Sequence, residues 1–157
     1  MKKEVVLKGK GFILRPLKED DGGSVVRILN NEKVSSGISN KKPYAYTNAD
    51  FKQTFERIKQ EEKTTDFAIE IEGKFAGSIS LDLEGENSAT LGYWLDEKYW
   101  GKGIITKAID LMIKYGKENL SLKKIVAKVH NDNPASKKVL IKNSFVESDD
   151  NVFVKSL

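Results

Sequence analysis

Residues 96–109 read DEKYWGKGIITKAI, with Gly101 and Gly103 on either side of Lys102, two aromatics ahead of them and an amphipathic run behind. A strand ending at Leu95, a glycine-rich turn and a helix beginning near Gly103 would leave several main-chain N–H groups unpaired at a helix N-terminus. The helix dipole favours negative charge at the same place. Phosphate binding is the chemistry this suits. Glycine serves it twice, because a missing Cβ lets ligand oxygens approach the main chain and because anion-binding turns of this kind use positive φ.

Two familiar phosphate motifs fail on these residues. The P-loop pattern G-x-x-x-x-G-K-[ST] needs a glycine at 97 and Ser or Thr at 103, where the chain has Glu97 and Gly103. The dinucleotide pattern G-x-G-x-x-G breaks at its third glycine, which is Thr106 here. Other site chemistries are excluded by composition. The chain has no cysteine, which removes disulfides, thiolate zinc sites and cysteine nucleophiles together. His130 is the single histidine, so no metal site is expected, and a Ser-His-Asp triad would have to converge on that one imidazole without a G-x-S-x-G elbow.

Charge sharpens the picture. Net charge is +4, yet between Lys98 and Lys142 eleven lysines face only Asp110, Glu118 and Asp132, a surplus of +8 that leaves −4 for the rest of the chain. The basic part is the part with the glycine turn, which suits a polyanionic partner. A chain of 157 residues makes one ordinary domain, residues 1–157. No apolar stretch is long enough to span a bilayer and residues 1–12 lack a signal-peptide core, so no membrane association is expected and the location should be cytoplasmic.

The elements that must hold the turn follow from periodicity. Residues 11–17 form a short apolar run stopped by Pro16, and residues 19–30 turn helical, with Val25, Val26 and Leu29 on one face. Thr47 and Asp50 have the spacing of a capping box ahead of Phe51, Phe55 and Ile58. Three strands in a meander are read at 65–71, 75–83 and 88–95, with glycine in both connections. A helix carries Ile104, Ile105, Ala108, Ile109, Met112 and Ile113 on one stripe, and residues 124–130 read as a strand, so this crossover calls for parallel pairing. A short helix opened by Pro134 and a final strand pair near 145–148 and 152–157 complete the order βααβββαβαββ.

Five motifs recur in order along this frame: LRPL at 14–17, GYWL at 92–95, YWGKG at 99–103, NPAS at 133–136, and Val139–Leu140 before Phe145. Together with the loop pattern [QR]-x-x-G-x-[GA], met here from Lys98 onward in all but its first place, they resemble the GNAT superfamily of N-acetyltransferases. The likeness is greatest to the RimJ/RimL-type branch of ribosomal-protein N-acetyltransferases, and it covers residues 14–145. There are departures: Lys98 replaces Gln or Arg, Ser144 replaces a glycine before Phe145, and Thr90 stands where many relatives have a carboxylate. The stretch after Phe145 is short for the acceptor wall that longer relatives build.

The resemblance implies an α+β (mixed α/β) GNAT fold, with a mostly antiparallel twisted sheet of about seven strands and helices on both faces. It implies an acyltransferase that moves an acetyl group from acetyl-coenzyme A directly to a primary amine, either a protein N-terminus or a small amine such as a polyamine. The pyrophosphate would rest on amides of Lys98, Gly101, Lys102, Gly103, Ile104, Ile105 and Thr106. Main-chain groups of Trp94, Leu95 and Asp96 would pair with the pantetheine arm, and Asn133 would bond it from the other side. The Leu95 N–H would hold the oxyanion, and Ser136 would protonate the sulfur. Glu70, Asp82 and Asp96 are candidates for taking the amine proton, His130 reads as a bystander, and Tyr44 and Tyr46 lie where relatives shape the acceptor site. Nucleic acid is not an expected partner of such an enzyme, and homodimerisation is left open. The rival reading from the lysines is a basic binding module for nucleic acid or an acidic protein, with a vestigial coenzyme A pocket.

Overall fold

The computed structural model describes residues 4–38, 45–130 and 132–157. Its centre is one eight-stranded sheet in the order β1-β2-β3-β4-β5-β6-β8-β7. The strands are β1 (Leu7–Gly9), β2 (Phe12–Arg15), β3 (Asp66–Ile71), β4 (Lys74–Glu84), β5 (Ser88–Leu95), β6 (Lys124–Lys128), β7 (Val146–Asp149) and β8 (Val152–Ser156). The helices are α1 (Gly22–Leu29), α2 (Glu32–Ser35), α3 (Asn48–Gln60), α4 (Ile104–Asn119) and α5 (Pro134–Lys142). All neighbouring strands are antiparallel except β5 and β6, which the α4 crossover makes parallel.

The sheet has eight strands where about seven were expected. The additional one, β1, is a three-residue edge strand turned back onto β2 through Gly11. A segment that short carries too few alternations to be told from a loop. The additional helix, α2, is one turn capped by Asn31, whose side chain accepts from the Lys33 N–H. Elsewhere local chemistry places the elements. The capping box at Thr47 and Asp50 forms with both bonds present.

Adjacent residues of β3 show how two layers of helix are served. Phe67 packs into the cluster that holds Ile104, Ala108, Ile109 and Met112 of α4 and Leu140 of α5, while Ala68 packs with Val25 and Ile28 of α1 and Phe51 of α3. Side chains one residue apart on a strand face opposite ways, so α4 and α5 cover one face and α1 and α3 the other. Arg15, from LRPL, ties the second layer to the sheet. It is 6% exposed and forks onto both oxygens of Asp21 at 2.9 Å, while its Nε donates to Glu70 at 2.7 Å.

Candidate active site

The site is made by a divergence of two strands. β5 pairs with β4 through to Leu95, but it pairs with β6 only over Ser88–Leu91, opposite Lys124–Ala127. Residues 92–95 therefore have a partner strand on one side only. The Asp96 N–H donates to Ala76 O on β4 at 2.8 Å. By strand alternation, the main-chain groups of Tyr93 and Leu95 point the other way, into the opening left by β6. Close seating of β5 on β4 depends on Gly77, where a Cβ would come within 2.3 Å of the Trp94 carbonyl oxygen.

The glycine turn closes the end of this opening. Gly101 and Gly103 both have φ +77°, and Gly103 is the N-cap of the 16-residue α4, where no side chain among the described residues caps the first-turn N–H groups. The turn is held on three sides. The Trp100 indole donates to Leu95 O at 2.8 Å. Asn31 and Lys33 bind the two oxygens of Glu97 at 3.0 and 3.1 Å, and those bonds hold the Glu97 carboxyl below its usual range. Arg27 of α1 reaches Asp96 at 3.2 Å.

A cleft of about 410 Å³ results, lined by parts of β5, the turn, the start of α4 and the start of α5. It gathers Trp94, Leu95, Gly101, Gly103, Ile104, Ile105, Thr106, Asn133 and Ser136, residues 94 to 136 in sequence brought to one place. Lys138 and Lys142, from the basic stretch, line it too. Three residues expected at the site do not line the cleft. Asp96 is 6% exposed and held by Arg27, with its N–H spent on β4. Lys98 and Lys102 point their ammonium groups over the Tyr99 ring, at 5.3 and 5.9 Å from its centroid. There they contribute positive field beside the turn.

α5 is fixed by its own sequence. Asn133 caps it, its Oδ1 accepting from the N–H groups of Ala135 and Ser136 at 3.1 and 3.3 Å, and Pro134 occupies the first turn, where no N–H is needed. Asn143 bonds Thr106 O at 3.1 Å, so the end of α5 is tied to the start of α4. Tyr93 joins Ser136 by a hydroxyl–hydroxyl bond of 2.5 Å. Burial pushes the Tyr93 phenol up, partly offset by that bond. Nothing in the motif GYWL marked Tyr93 as more than a packing residue, because its partner lies 43 positions away.

A second cavity of about 590 Å³ lies among α1, α3 and the opposite sheet face, and Trp94 and Ile38 line both cavities. Tyr46 lines it, whereas Tyr44 lies outside the described residues. Glu70 is committed to Arg15, and neither Glu70, Asp82 nor Asp96 lines either cavity. Two carboxylates that do are Glu32 and Asp66, the latter pushed up to about 6 by burial and then by Glu61. The position of Asp66 at the start of β3 did not distinguish it from a surface charge. His130 lines neither cavity. Among the described residues no group of three or more His, Asp or Glu could hold a metal ion, and no helix is long and apolar enough to cross a membrane.

Comparison with known proteins places this geometry. The ribosomal-protein-serine acetyltransferase of Escherichia coli (strain K12) is 38% identical over 82 residues, which is 51% of this chain and 46% of that protein's length. The uncharacterized N-acetyltransferase YoaA of Bacillus subtilis (strain 168) is 26% identical over 146 residues, 89% of this chain and 82% of the relative. A solved structure of RimL, a ribosomal alpha-N-protein acetyltransferase in complex with coenzyme A, superposes with a TM-score of 0.82 at 18% identity over 98% of both chains, a likeness of fold. The family described as "Acetyltransferase (GNAT) domain" matches residues 12–146, and the chain belongs to that family.

Proposed function

We propose that this protein transfers the acetyl group of acetyl-coenzyme A to a primary amine, and that the acceptor is the N-terminal amine of a protein. The observation that carries the reading is the one-sided edge of β5 at residues 92–95, which leads through the 96–103 turn to a helix N-terminus without a side-chain cap. An extended ligand arm finds main-chain partners along the first and a diphosphate finds N–H groups at the second. The relatives named for ribosomal-protein and alpha-N-protein acetylation support the choice of acceptor.

In this reading the amides of Gly101, Lys102, Gly103, Ile104, Ile105 and Thr106 hold the diphosphate. Lys98 and Lys102 add charge from the rim, and the Asn133 side-chain nitrogen, left over from the cap, meets the arm. When bound, acetyl-coenzyme A supplies a thioester already activated toward amines. The chain supplies aim and charge stabilisation. The Leu95 N–H, directed into the opening, donates to the thioester oxygen as negative charge grows there, and a dipole fixed by the sheet needs no reorganisation. Ser136 donates a hydrogen bond to the departing sulfur from the other wall, and the proton released by the acceptor nitrogen passes through water to the thiolate as the thiol forms. The acceptor amine approaches from the side of the second cavity, with which the cleft shares Trp94 and Ile38 as lining residues. Holding both partners together supplies much of the acceleration.

Calorimetric titration with acetyl-coenzyme A tests the donor half. Thiol release across a panel of peptide N-termini, polyamines and aminoglycosides tests the acceptor half. Absence of acetyl-coenzyme A binding at low salt overturns the reading, and release only with small amines overturns the choice of acceptor.

A further inference from the structure

We infer that Tyr93 is a positioning residue for acyl transfer, its phenol donating to Ser136 Oγ so that the serine's own hydrogen is turned into the cleft. The inference rests on the acetyltransferase reading and deepens it by one residue.

The geometry is that of two oxygens 2.5 Å apart, one on β5 and one on the first turn of α5, both on the wall of the cleft that also holds Leu95. Of the two hydroxyls the phenol is the more acidic and therefore the better donor. Ser136 Oγ is then the acceptor. A serine near a helix N-terminus ordinarily has other uses for its hydroxyl, such as bonding back to a carbonyl of the preceding turn. Occupying the oxygen with an outside donor leaves a single hydrogen, which can no longer point at Tyr93. Accepting one bond also polarises the hydroxyl and strengthens the one it donates.

The Tyr93 ring is held as a positioning residue requires. It packs against the core cluster on the α4 and α5 face, and burial raises the phenol's pKa, so it remains a protonated donor at neutral pH. Ser136 is held from behind, because its N–H bonds the Asn133 cap. Neither group can turn without breaking a bond across the opening between β5 and α5.

The test is a double-mutant cycle on thiol release, measured with an active amine and also without acceptor. Tyr93→Phe keeps the ring and removes the donor. The expected result is a fall in kcat of about tenfold, within the range of one oriented hydrogen bond, with KM for acetyl-coenzyme A changed less than about twofold. Ser136→Ala should fall as far or further, and Tyr93→Phe on that background should change nothing more. Multiplicative losses, an unchanged kcat in Tyr93→Phe, or a raised KM with kcat preserved would each overturn the inference, the last by showing that the phenol only packs. Should Tyr93→Phe fail to fold, Ser136→Ala with wild-type kcat overturns it equally. A wild-type protein that binds acetyl-coenzyme A but releases no thiol under any condition overturns the transfer reading and this inference together. A wild type that releases thiol normally confines any failure to Tyr93.

Discussion

The indole N–H of Trp100 donates to the main-chain carbonyl of Leu95 at 2.8 Å, so the residue just before the glycine turn is fastened to the last residue of β5. The bond consumes the Leu95 carbonyl on the open side of the strand and leaves the N–H of the same residue facing that side. Strand end and helix start, the two halves of the proposed donor site, are thereby held in one register. Trp100→Phe keeps the aromatic area and removes this bond, worth about 1 kcal/mol. The expected outcome is a roughly fivefold weaker acetyl-coenzyme A Kd by calorimetry, with the melting temperature moved by no more than a few degrees.

Gly101 and Gly103 should separate binding from folding. A Cβ at either position meets no protein atom within 4 Å, so the penalty inside the protein is only that of holding an L-residue at φ +77°, about 1–2 kcal/mol. The Gly101→Val, Gly103→Val double variant should fold, as read by circular dichroism. It should lose acetyl-coenzyme A affinity by about 100-fold or more, equivalent to about 2.7 kcal/mol. Retention of affinity would show that the amides of the turn are not the phosphate site.

Arg15 should matter for stability and not for binding. Its guanidinium is held by Asp21 and Glu70, and those partners raise its pKa, the Asp21 bond most, against the opposing effect of burial. Arg15→Met leaves the Asp21 carboxylate buried without its fork, an effect of about 3–5 kcal/mol. At about 2–4 °C per kcal/mol for a domain of this size, the melting temperature should fall by roughly 10 °C. Acetyl-coenzyme A affinity, measured well below that temperature, should be retained.

Asp66 makes a prediction about pH. Its folded pKa of about 6 lies above the ordinary 3.8, so the native state holds this proton more tightly than the unfolded chain. That stabilisation is complete below the unfolded value and is lost as pH rises through about 6. Asp66→Asn removes the loss. Variant minus wild-type unfolding free energy should grow by about 2 kcal/mol between pH 4 and pH 7, measured by urea denaturation. A difference that stays level across that interval would show that the carboxyl is not desolvated in the native state.

Much of the architecture was legible because it rests on local rules. The stripe from Ile104 to Ile113 announces α4, and the alternation in 65–71 and 88–95 announces β3 and β5. Glycines with positive φ at 73 and 85 turn the two hairpins of the meander. Thr47 and Asp50 cap α3 from three residues apart. Even the glycine turn is local, since two glycines and a following helix lie within ten residues. What stayed hidden was short or distant: β1 and α2 are too brief to show a period.

The chain's own order of residues therefore determined the elements, the glycine turn ahead of α4 and the family motifs, all of which need only neighbours within a few positions. Tertiary structure decided which of those residues share a cavity. It paired Tyr93 with Ser136 and Trp100 with the Leu95 carbonyl, turned Asp96 toward Arg27 and away from the cleft, and brought Asp66 to the wall of the second cavity. The physical reason is that side-chain identity sets what a residue can bond, whereas its partner is set by where β6 leaves β5 and by which face of the sheet the residue occupies.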